Sequence, residues 1–379
     1  MELRTTTTST TTTTCSKYCM SDSNHRPAVR TYCRCSRCET GSNYVSSKGF
    51  HSICERHSDL FRVVKDFVSK FKHMDRQTDV NSYSSLNTKP SPAEMLSGKR
   101  WNKRALLCGV TYKRKYTLKG TVNDVKDMRE LLIKQYNYPP HCIRVLTEFE
   151  PEKEFHPTKK NIENSLKWLV EGCQFGDSLV FYFSGHGLRQ PDFKNDEVDG
   201  FDETICPVDF MEQGMIFDND INITIVRPLV EGVILHAIVD ACHSGTILDL
   251  QFVYDHKNKR WEDHTPRSGA RKTTSGGLAI CISACEDHQL AADTTAFTGK
   301  TMNGASTYIF IDLIKRYPNI TYGELVDLLS DTFEENAANN QVKCLNSRRL
   351  ARLFGHRINQ KPLLSSSAEF DIYSRKISL

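Results

Sequence analysis

The sequence predicts an α/β fold in which a layered domain with a mostly parallel central sheet is flanked by helices, with a small cysteine-rich region in front. Two apolar runs carry the prediction. One leads from Ser178 into Gly185-His186-Gly187, and the other leads from Gly232 into Asp240-Ala241-Cys242. Both have the length and the Val, Ile, Phe and Tyr content of strands buried on both faces. Because strand-like and helix-like segments alternate around them, the sheet should be parallel.

The remaining elements follow from the same patterns. Thr158 is a plausible N-cap for the second helix, because its hydroxyl can accept a backbone hydrogen bond. Residues 255–277 are polar, basic and glycine-containing, which predicts a surface loop. The predicted elements are a strand over 104–110, a helix over 124–136, a strand over 143–146, a helix over 158–170, the strands before His186 and Cys242, a strand over 278–283, a helix over 321–336 and a last strand over 370–373.

A reactive side chain follows each of the two apolar runs. His186 and Cys242 both lie where a strand gives way to a glycine-containing loop, and ligands bind at the carboxyl edge of open parallel sheets. A thiolate is a strong nucleophile, and an imidazole can take the thiol proton and later deliver it to a leaving amine. The alternative, a small buried cysteine and an unrelated loop histidine, requires two such coincidences. The pattern therefore favours a cysteine nucleophile with a histidine base.

Four sequence blocks carry a specific resemblance. They are Leu118-Lys-Gly-Thr-Val-Asn-Asp124, Ser184-Gly-His186-Gly, Asp199-Gly-Phe-Asp202-Glu-Thr and Asp240-Ala-Cys242-His-Ser-Gly, in this order. From about Lys103 onwards the chain resembles the metacaspases, the caspase-like cysteine peptidases of plants, fungi and protists. Its histidine precedes its cysteine by 56 positions (242 − 186), against about 50 in caspases. The cysteine-rich front end resembles the type I plant subgroup.

The resemblance implies a division of the chain. Residues 1–14 would be a disordered threonine-rich tail, 15–40 a zinc-finger-like prodomain and 41–99 a linker containing a helix near residues 60–72. A large caspase-like region would span 100–254 and a small one 278–379, joined by the loop 255–277. The threonine-rich start also has features of an organelle transit peptide, although arginine is sparse there.

The implied activity is that of a calcium-dependent endopeptidase that cuts proteins after Arg or Lys, in cell death or stress responses. The residues that match the family's acidic substrate pocket are Asp124, Ser184 and Asp240. A carboxylate pair would favour a guanidinium and disfavour an Asp side chain. Without the resemblance, Asp124 would be read as an acid that stabilises a helix N-terminus. Backbone N–H groups near Gly187 and Cys242 are candidates for an oxyanion hole.

A second acidic group matches the family's calcium site. The corresponding positions are Asp202, Asp218, Asn219 and Asp249, and hard cations take such oxygen ligands. Asn219 stands where a second aspartate is usual, so the resemblance implies a lower calcium affinity here. By themselves these residues could equally be solvated loop acids. The acidic run 195–199 is predicted to be a solvated loop.

The front end contains paired cysteines with zinc-ligand spacing. Cys15 and Cys19 form one pair and Cys35 and Cys38 the other, which resembles a structural zinc site able to bind regulatory proteins. The first pair has one residue more than the usual gap. Cys33 and His25 are substitute ligands, and a decayed finger with free thiols is the alternative.

Composition excludes several classes of protein. A net charge of +4 over 379 residues does not indicate nucleic-acid binding, and no stretch is apolar enough to span a membrane. Without an N-terminal apolar segment, the 14 cysteines are expected to be thiols, metal ligands or a nucleophile. These features predict a cytoplasmic protein and are compatible with a nuclear one as well. The alternative function is a catalytically weak scaffold that binds regulators through the zinc finger.

Overall fold

The computed structural model divides the chain into two units, Met1–Asp75 and Arg76–Leu379. Each is described by itself. In the first unit, only the backbones of three strands are described. The described residues are 13–18, 30–35, 41–43, 84–96, 100–112, 117–118, 120–194, 197–198, 200–241, 245–266, 268–283, 305–338 and 362–379.

The first unit contains a three-stranded antiparallel sheet. Its strands are β1 (Thr13–Tyr18), β2 (Arg30–Cys35) and β3 (Gly41–Asn43), in spatial order β1-β2-β3. The register of β1 and β2 places Cys15 opposite Cys33. The helix expected near residues 60–72, and the ligand candidates Cys19, His25 and Cys38, lie outside the described residues.

The second unit is built on an eight-stranded sheet with the spatial order β12-β11-β14-β13-β10-β6-β4-β5. The five strands from β13 to β5 are parallel to their neighbours in this half, while β11, β12 and β14 pair antiparallel. This confirms the mostly parallel central sheet. The strands are β4 (Lys103–Gly109), β5 (Ile143–Leu146), β6 (Ser178–Ser184), β10 (Ile234–Asp240), β11 (Phe252–Asp255), β12 (Arg260–Asp263), β13 (Leu278–Ser283) and β14 (Leu363–Ser366).

Helices cover both faces of this sheet. Alternate strand residues point to opposite faces, so Leu106 and Phe181 face the helix over 159–170, while Leu107 and Tyr182 face the other side. On that other side the helix over 305–316 contacts the helices over 121–134 and 322–338. The described α-helices are α1 (Pro92–Leu96), α2 (Thr121–Lys134), α3 (Lys159–Val170), α4 (Phe210–Gln213), α5 (Asp218–Ile221), α6 (Ala305–Arg316) and α7 (Tyr322–Ala338), with short 3-10 segments at Pro140–Cys142 and Lys153–Phe155 and a π turn at Asn222–Val226.

A smaller antiparallel sheet follows directly after His186. It consists of β7 (Gly187–Pro191), β8 (Phe201–Ile205) and β9 (Ile216–Phe217), in spatial order β7-β8-β9. The strand that leaves the histidine therefore pairs with the strand that carries Asp202. None of the helices in the described part of the chain has the length and apolar composition that a membrane span requires.

Local patterns account for most of these elements. The Thr158 hydroxyl accepts a hydrogen bond from the Asn161 N–H at 3.3 Å, which confirms the predicted N-cap of α3. The predicted last strand over 370–373 is wrong, since the last described strand is β14. The Asp371 carboxylate accepts the Tyr373 N–H at 3.0 Å, and such a local turn competes with strand pairing.

The segment 255–277, expected to be a surface loop, contains the strand β12. This strand pairs with β11 as a hairpin and packs Trp261 against Tyr254, with ring centroids 5.3 Å apart. Trp261 Nε1 also donates to the Phe370 carbonyl at 2.8 Å. The apolar Trp261 side chain, which the polar composition of the segment obscured, explains why this part is ordered against the sheet.

Candidate active site

The register of two central strands brings the two reactive loops together. β6 and β10 are parallel neighbours, and Ser184 at the end of β6 lies opposite Asp240 at the end of β10. His186 follows Ser184 by two residues, and Cys242 follows Asp240 by two. The Gly185 N–H donates to the Asp240 carbonyl at 3.3 Å. Cys242 and His243 lie outside the described residues. The described ends of β6 and β10, which precede His186 and Cys242 in the chain, lie at the same edge of the sheet.

The backbone of His186 is held on both sides. Its N–H donates to the Tyr112 hydroxyl at 2.9 Å, and its carbonyl accepts the Cys206 N–H at 3.0 Å. The imidazole is 4% exposed and lies against the Tyr112 ring, with centroids 4.6 Å apart and planes inclined by 36°. No sequence pattern indicates Tyr112, because it lies 74 residues before the histidine and belongs to none of the four sequence blocks.

The three residues predicted for the substrate pocket lie close together at this edge. Asp124 is in the first turn of α2, and the ends of β6 and β10 supply Ser184 and Asp240. All three are buried. Burial raises the pKa of Asp124 well above its usual value, and the negative charge of Asp240 raises it further. The Ser184 side chain is close enough to lower this pKa in part, although among the described residues neither Asp124 Oδ2 nor Ser184 Oγ has a hydrogen bond of good geometry.

Asp240 differs from Asp124 in having strong partners. Its Oδ2 accepts the Thr307 N–H at 3.1 Å and the Thr307 hydroxyl at 2.7 Å, at the start of α6. Burial raises the pKa of Asp240 to about 6, while these hydrogen bonds work in the opposite direction. Asp240 therefore anchors a helix N-terminus as well as facing the pocket. Thr307 is a site residue that the sequence patterns did not indicate.

Gly187, a candidate for the oxyanion hole, is the first residue of β7 and lies opposite Ile205 in β8. It is thus anchored in the small sheet directly after the histidine. The second candidate, the N–H of Cys242, lies outside the described residues.

The predicted metal ligands form a buried acidic cluster. Carboxylate oxygens of Asp202, Asp218 and Glu197 lie within 4.8 Å of one another. Asn219 Nδ2 donates to Asp202 Oδ1 at 3.2 Å, and the Asn219 N–H donates to Asp218 Oδ1 at 2.6 Å. Burial raises the pKa of Asp218 well above its usual value, and the negative charges of Glu197 and Asp249 raise it further. The structure thus brings together all four predicted positions and adds Glu197.

Glu197 corrects one expectation. The run 195–199 was predicted to be a solvated loop, yet the Glu197 side chain is only 8% exposed. Both of its oxygens accept from Lys272 Nζ at 3.0 Å, and Lys272 also forms an ion pair with Asp249. Burial, and next the charge of Asp249, raises the pKa of Glu197 to about 9. A contact 75 residues away along the chain buries this acid, and a local polar pattern cannot reveal such a contact.

Comparison with known proteins relates this chain to one family. Residues 103–251 match the family described as metacaspase, peptidase C14 domain. The chain is 45% identical over 300 residues to metacaspase-1 of Arabidopsis thaliana, covering 76% of this chain and 82% of that protein. It is 43% identical over 303 residues to metacaspase-2 of the same plant, covering 73% and 72%, and 40% identical over 374 residues to metacaspase-3, covering 92% and 98%.

This layered α/β protein is a cysteine-type endopeptidase of the caspase-like clan, as its match to the peptidase C14 domain and to the plant metacaspases shows. The chain belongs to the metacaspase family. This confirms the class of protein that the four sequence blocks indicated.

Proposed function

We propose that this metacaspase cleaves proteins after Arg or Lys, with Cys242 as the nucleophile and His186 as its base. The observation that supports the proposal is the pairing of Ser184 with Asp240, which brings together the ends of the two strands that precede His186 and Cys242, beside buried acidic residues. A fluorogenic Arg peptide assayed with millimolar calcium, with the Cys242→Ala variant as the blank, tests it. Turnover equal to that of the blank would leave the scaffold function as the better account.

The proposed reaction uses the two side chains in turn. The Cys242 thiolate attacks the scissile carbonyl while His186 holds the thiol proton, and His186 then protonates the departing amine. Water, activated by the same imidazole, hydrolyses the acyl-enzyme. Backbone N–H groups near Gly187 and Cys242 would stabilise the oxyanion.

The acidic pocket supports the specificity. Asp124 Oδ2 is a buried carboxylate oxygen without a hydrogen-bond partner among the described residues. A buried unpaired carboxylate is unfavourable, and a guanidinium or ammonium from a substrate would supply both a countercharge and hydrogen bonds. An Asp side chain in the same pocket would add repulsion.

We also propose that the acidic cluster binds calcium. The side-chain atoms that could ligate a metal ion are carboxylate and amide oxygens, which suit a hard cation. Glu197, Asp202, Asp218 and Asp249 bring four carboxylates, against which Lys272 supplies one ammonium in the part of the chain that the structure describes. Burial, and next the neighbouring negative charges, raises the pKa of Glu197 and of Asp218. A divalent cation would neutralise it.

The cluster is connected to the segment after Cys242. Glu203, next to Asp202, pairs with Arg189 at 2.9 Å and accepts the Thr246 hydroxyl at 2.7 Å. Asp218 in turn accepts the Glu203 N–H at 2.6 Å. These contacts support the proposal that a cation in the cluster would stabilise the segment around Thr246, which follows Cys242 in the chain.

Lys272 should compete with calcium, because its ammonium occupies the oxygens of Glu197 and Asp249 that a cation needs. We expect Lys272→Met to lower the dissociation constant for calcium about tenfold, since affinity follows the charge of the ligand set. Isothermal titration calorimetry on the inactive Cys242→Ala background measures this without any need for turnover. Lys257→Met, which removes an exposed lysine from the same segment, is the matched control. An unchanged or weaker affinity in Lys272→Met would refute the competition.

Asn219→Asp provides a second arm of the same titration. The added carboxylate should move half-saturation to lower calcium, and it should reduce the melting temperature in a chelator because it increases repulsion with Asp202 and Asp218. A calcium titration that does not change would mean that Asn219 is not a ligand.

For the first unit we propose a structural zinc site held by Cys15, Cys19, Cys35 and Cys38 that binds regulatory proteins. The register of β1 and β2 sets Cys15 opposite Cys33, which supports Cys33 as the substitute ligand. We expect about one zinc per full-length chain under reducing conditions, lost in Cys35→Ser. Zinc below about one tenth per chain, by inductively coupled plasma mass spectrometry, would indicate a decayed finger.

We further propose a role in cell death or stress responses and a cytoplasmic location that extends to the nucleus. Family membership supports the first. Among the described residues, Cys108, Cys142, Cys173 and Cys206 are free thiols, which agrees with a reducing compartment.

A further inference from the structure

Tyr112 has an unusual backbone that other residues hold in place. It lies just beyond β4 with a φ of 53°, a left-handed conformation that is unfavourable for a bulky side chain. The two oxygens of Glu148 accept the N–H groups of Thr111 and Tyr112, each at 2.8 Å. Because strained conformations of this kind are unfavourable, they persist only where the surroundings fix them. In this fixed conformation the tyrosine side chain contacts His186.

The hydroxyl of Tyr112 joins two backbone segments at that loop. It accepts the His186 N–H at 2.9 Å and donates to the Cys206 carbonyl at 2.5 Å. Cys206 in turn donates its N–H to the His186 carbonyl at 3.0 Å. The hydroxyl, the histidine backbone and residue 206 thus form a closed ring of hydrogen bonds in a buried environment.

Gly185 lies directly against the Tyr112 hydroxyl, where a side chain would collide with it. A Cβ built on Gly185 would lie 2.9 Å from the Tyr112 oxygen and 2.7 Å from the Phe183 ring. A glycine before the histidine therefore permits the hydroxyl to approach the turn. The Tyr112 ring meanwhile lies against the imidazole, so one side chain limits both the position of the histidine backbone and the orientation of its ring.

From these contacts we infer that Tyr112, held by Glu148, is a positioning residue for His186. Its hydroxyl contacts the histidine backbone and does not contact the imidazole nitrogens, so it acts through His186. The inference rests on the proposed role of His186 as the base. Proton transfer depends steeply on geometry, and a displacement of about 1 Å can reduce a rate about 100-fold.

The test is Tyr112→Phe in the full-length chain. Phenylalanine keeps the ring against the imidazole and removes the hydroxyl. We expect kcat for an Arg peptide to fall about tenfold with KM unchanged, because the pocket of Asp124 is not altered. Tyr138→Phe is the matched control. Tyr138 is equally buried, and its hydroxyl lies 3.2 Å from Ser178 Oγ at the opposite end of β6. It should lower the melting temperature and leave kcat unchanged.

Two further variants separate the possible failures. Glu148→Gln removes one of the two acceptors for the turn from a half-exposed position, so the protein should stay folded and kcat should fall about threefold. It decides the question if Tyr112→Phe does not fold. Wild-type kcat in the folded variants, together with inactivity of His186→Ala, would overturn the positioning role alone. Activity in His186→Ala would overturn the proposed base itself.

Discussion

Replacement of His186 by alanine is expected to reduce kcat/KM for an Arg peptide at least about 10³-fold, and Cys242→Ala should have the same effect. The two groups act as one unit, because the thiol needs the base to become a nucleophile and the leaving amine needs the same proton. The double variant should therefore be no worse than either single one. Fluorogenic turnover measures the loss, and circular dichroism melting should show that the fold is intact.

His256→Ala is the control for this experiment. His256 is a half-exposed histidine that pairs with Asp327 at 2.6 Å, and it takes no part in the proposed site. Its removal should leave turnover unchanged. Near-normal activity in either His186→Ala or Cys242→Ala would remove the proposed pair of catalytic residues.

Replacement of Asp124 by asparagine is expected to reduce kcat/KM for an Arg peptide about 100-fold, equivalent to about 3 kcal/mol of lost charge pairing in a buried site. The melting temperature should stay the same or rise near neutral pH. Burial raises the pKa of Asp124 in the folded protein, so its ionised form destabilises the fold at any pH above the value for the unfolded chain. Asparagine removes that cost. The loss should therefore be specific to substrate binding.

Asp240→Asn should reduce both the activity and the stability of the fold. It weakens the pocket, and it also weakens the hydrogen bonds from Thr307, so the melting temperature should fall together with activity. Asp127→Asn, one turn further along α2, is the control and should leave activity unchanged. The acidic pocket would be refuted if the wild-type enzyme cleaved peptides with Asp before the cut as well as it cleaves those with Arg.

The sequence predicts the strands and helices well where a local pattern decides them. β6, β10 and β13 are apolar runs whose residues are buried because strands of this kind lie at the centre of a parallel sheet. The prediction of a strand over 370–373 is wrong because a local turn at Asp371 replaces strand pairing. For the site, the blocks around His186 and Asp240 contain their own signal, since each follows a buried strand directly.

The residues that the sequence could not indicate share a physical reason. Tyr112, Thr307 and Lys272 reach the site from distant parts of the chain, through polar contacts that leave no periodic pattern in the sequence. The burial of Glu197 could not be predicted for the same reason, since its side chain is buried against the distant Lys272. Long-range pairing of polar groups is decided by the packed sheet and is not visible in local composition.

The strand order of the large sheet has a mechanical consequence. β13 and β14, which follow the segment 264–277 in the chain, lie between β10 and β11, which precede it. A single backbone break in the mostly exposed stretch 268–271 would thus produce two fragments whose strands interleave. Neither piece could leave without separating β10 from β13 and β11 from β14. The severed protein would behave as one particle in solution and as two chains only after denaturation.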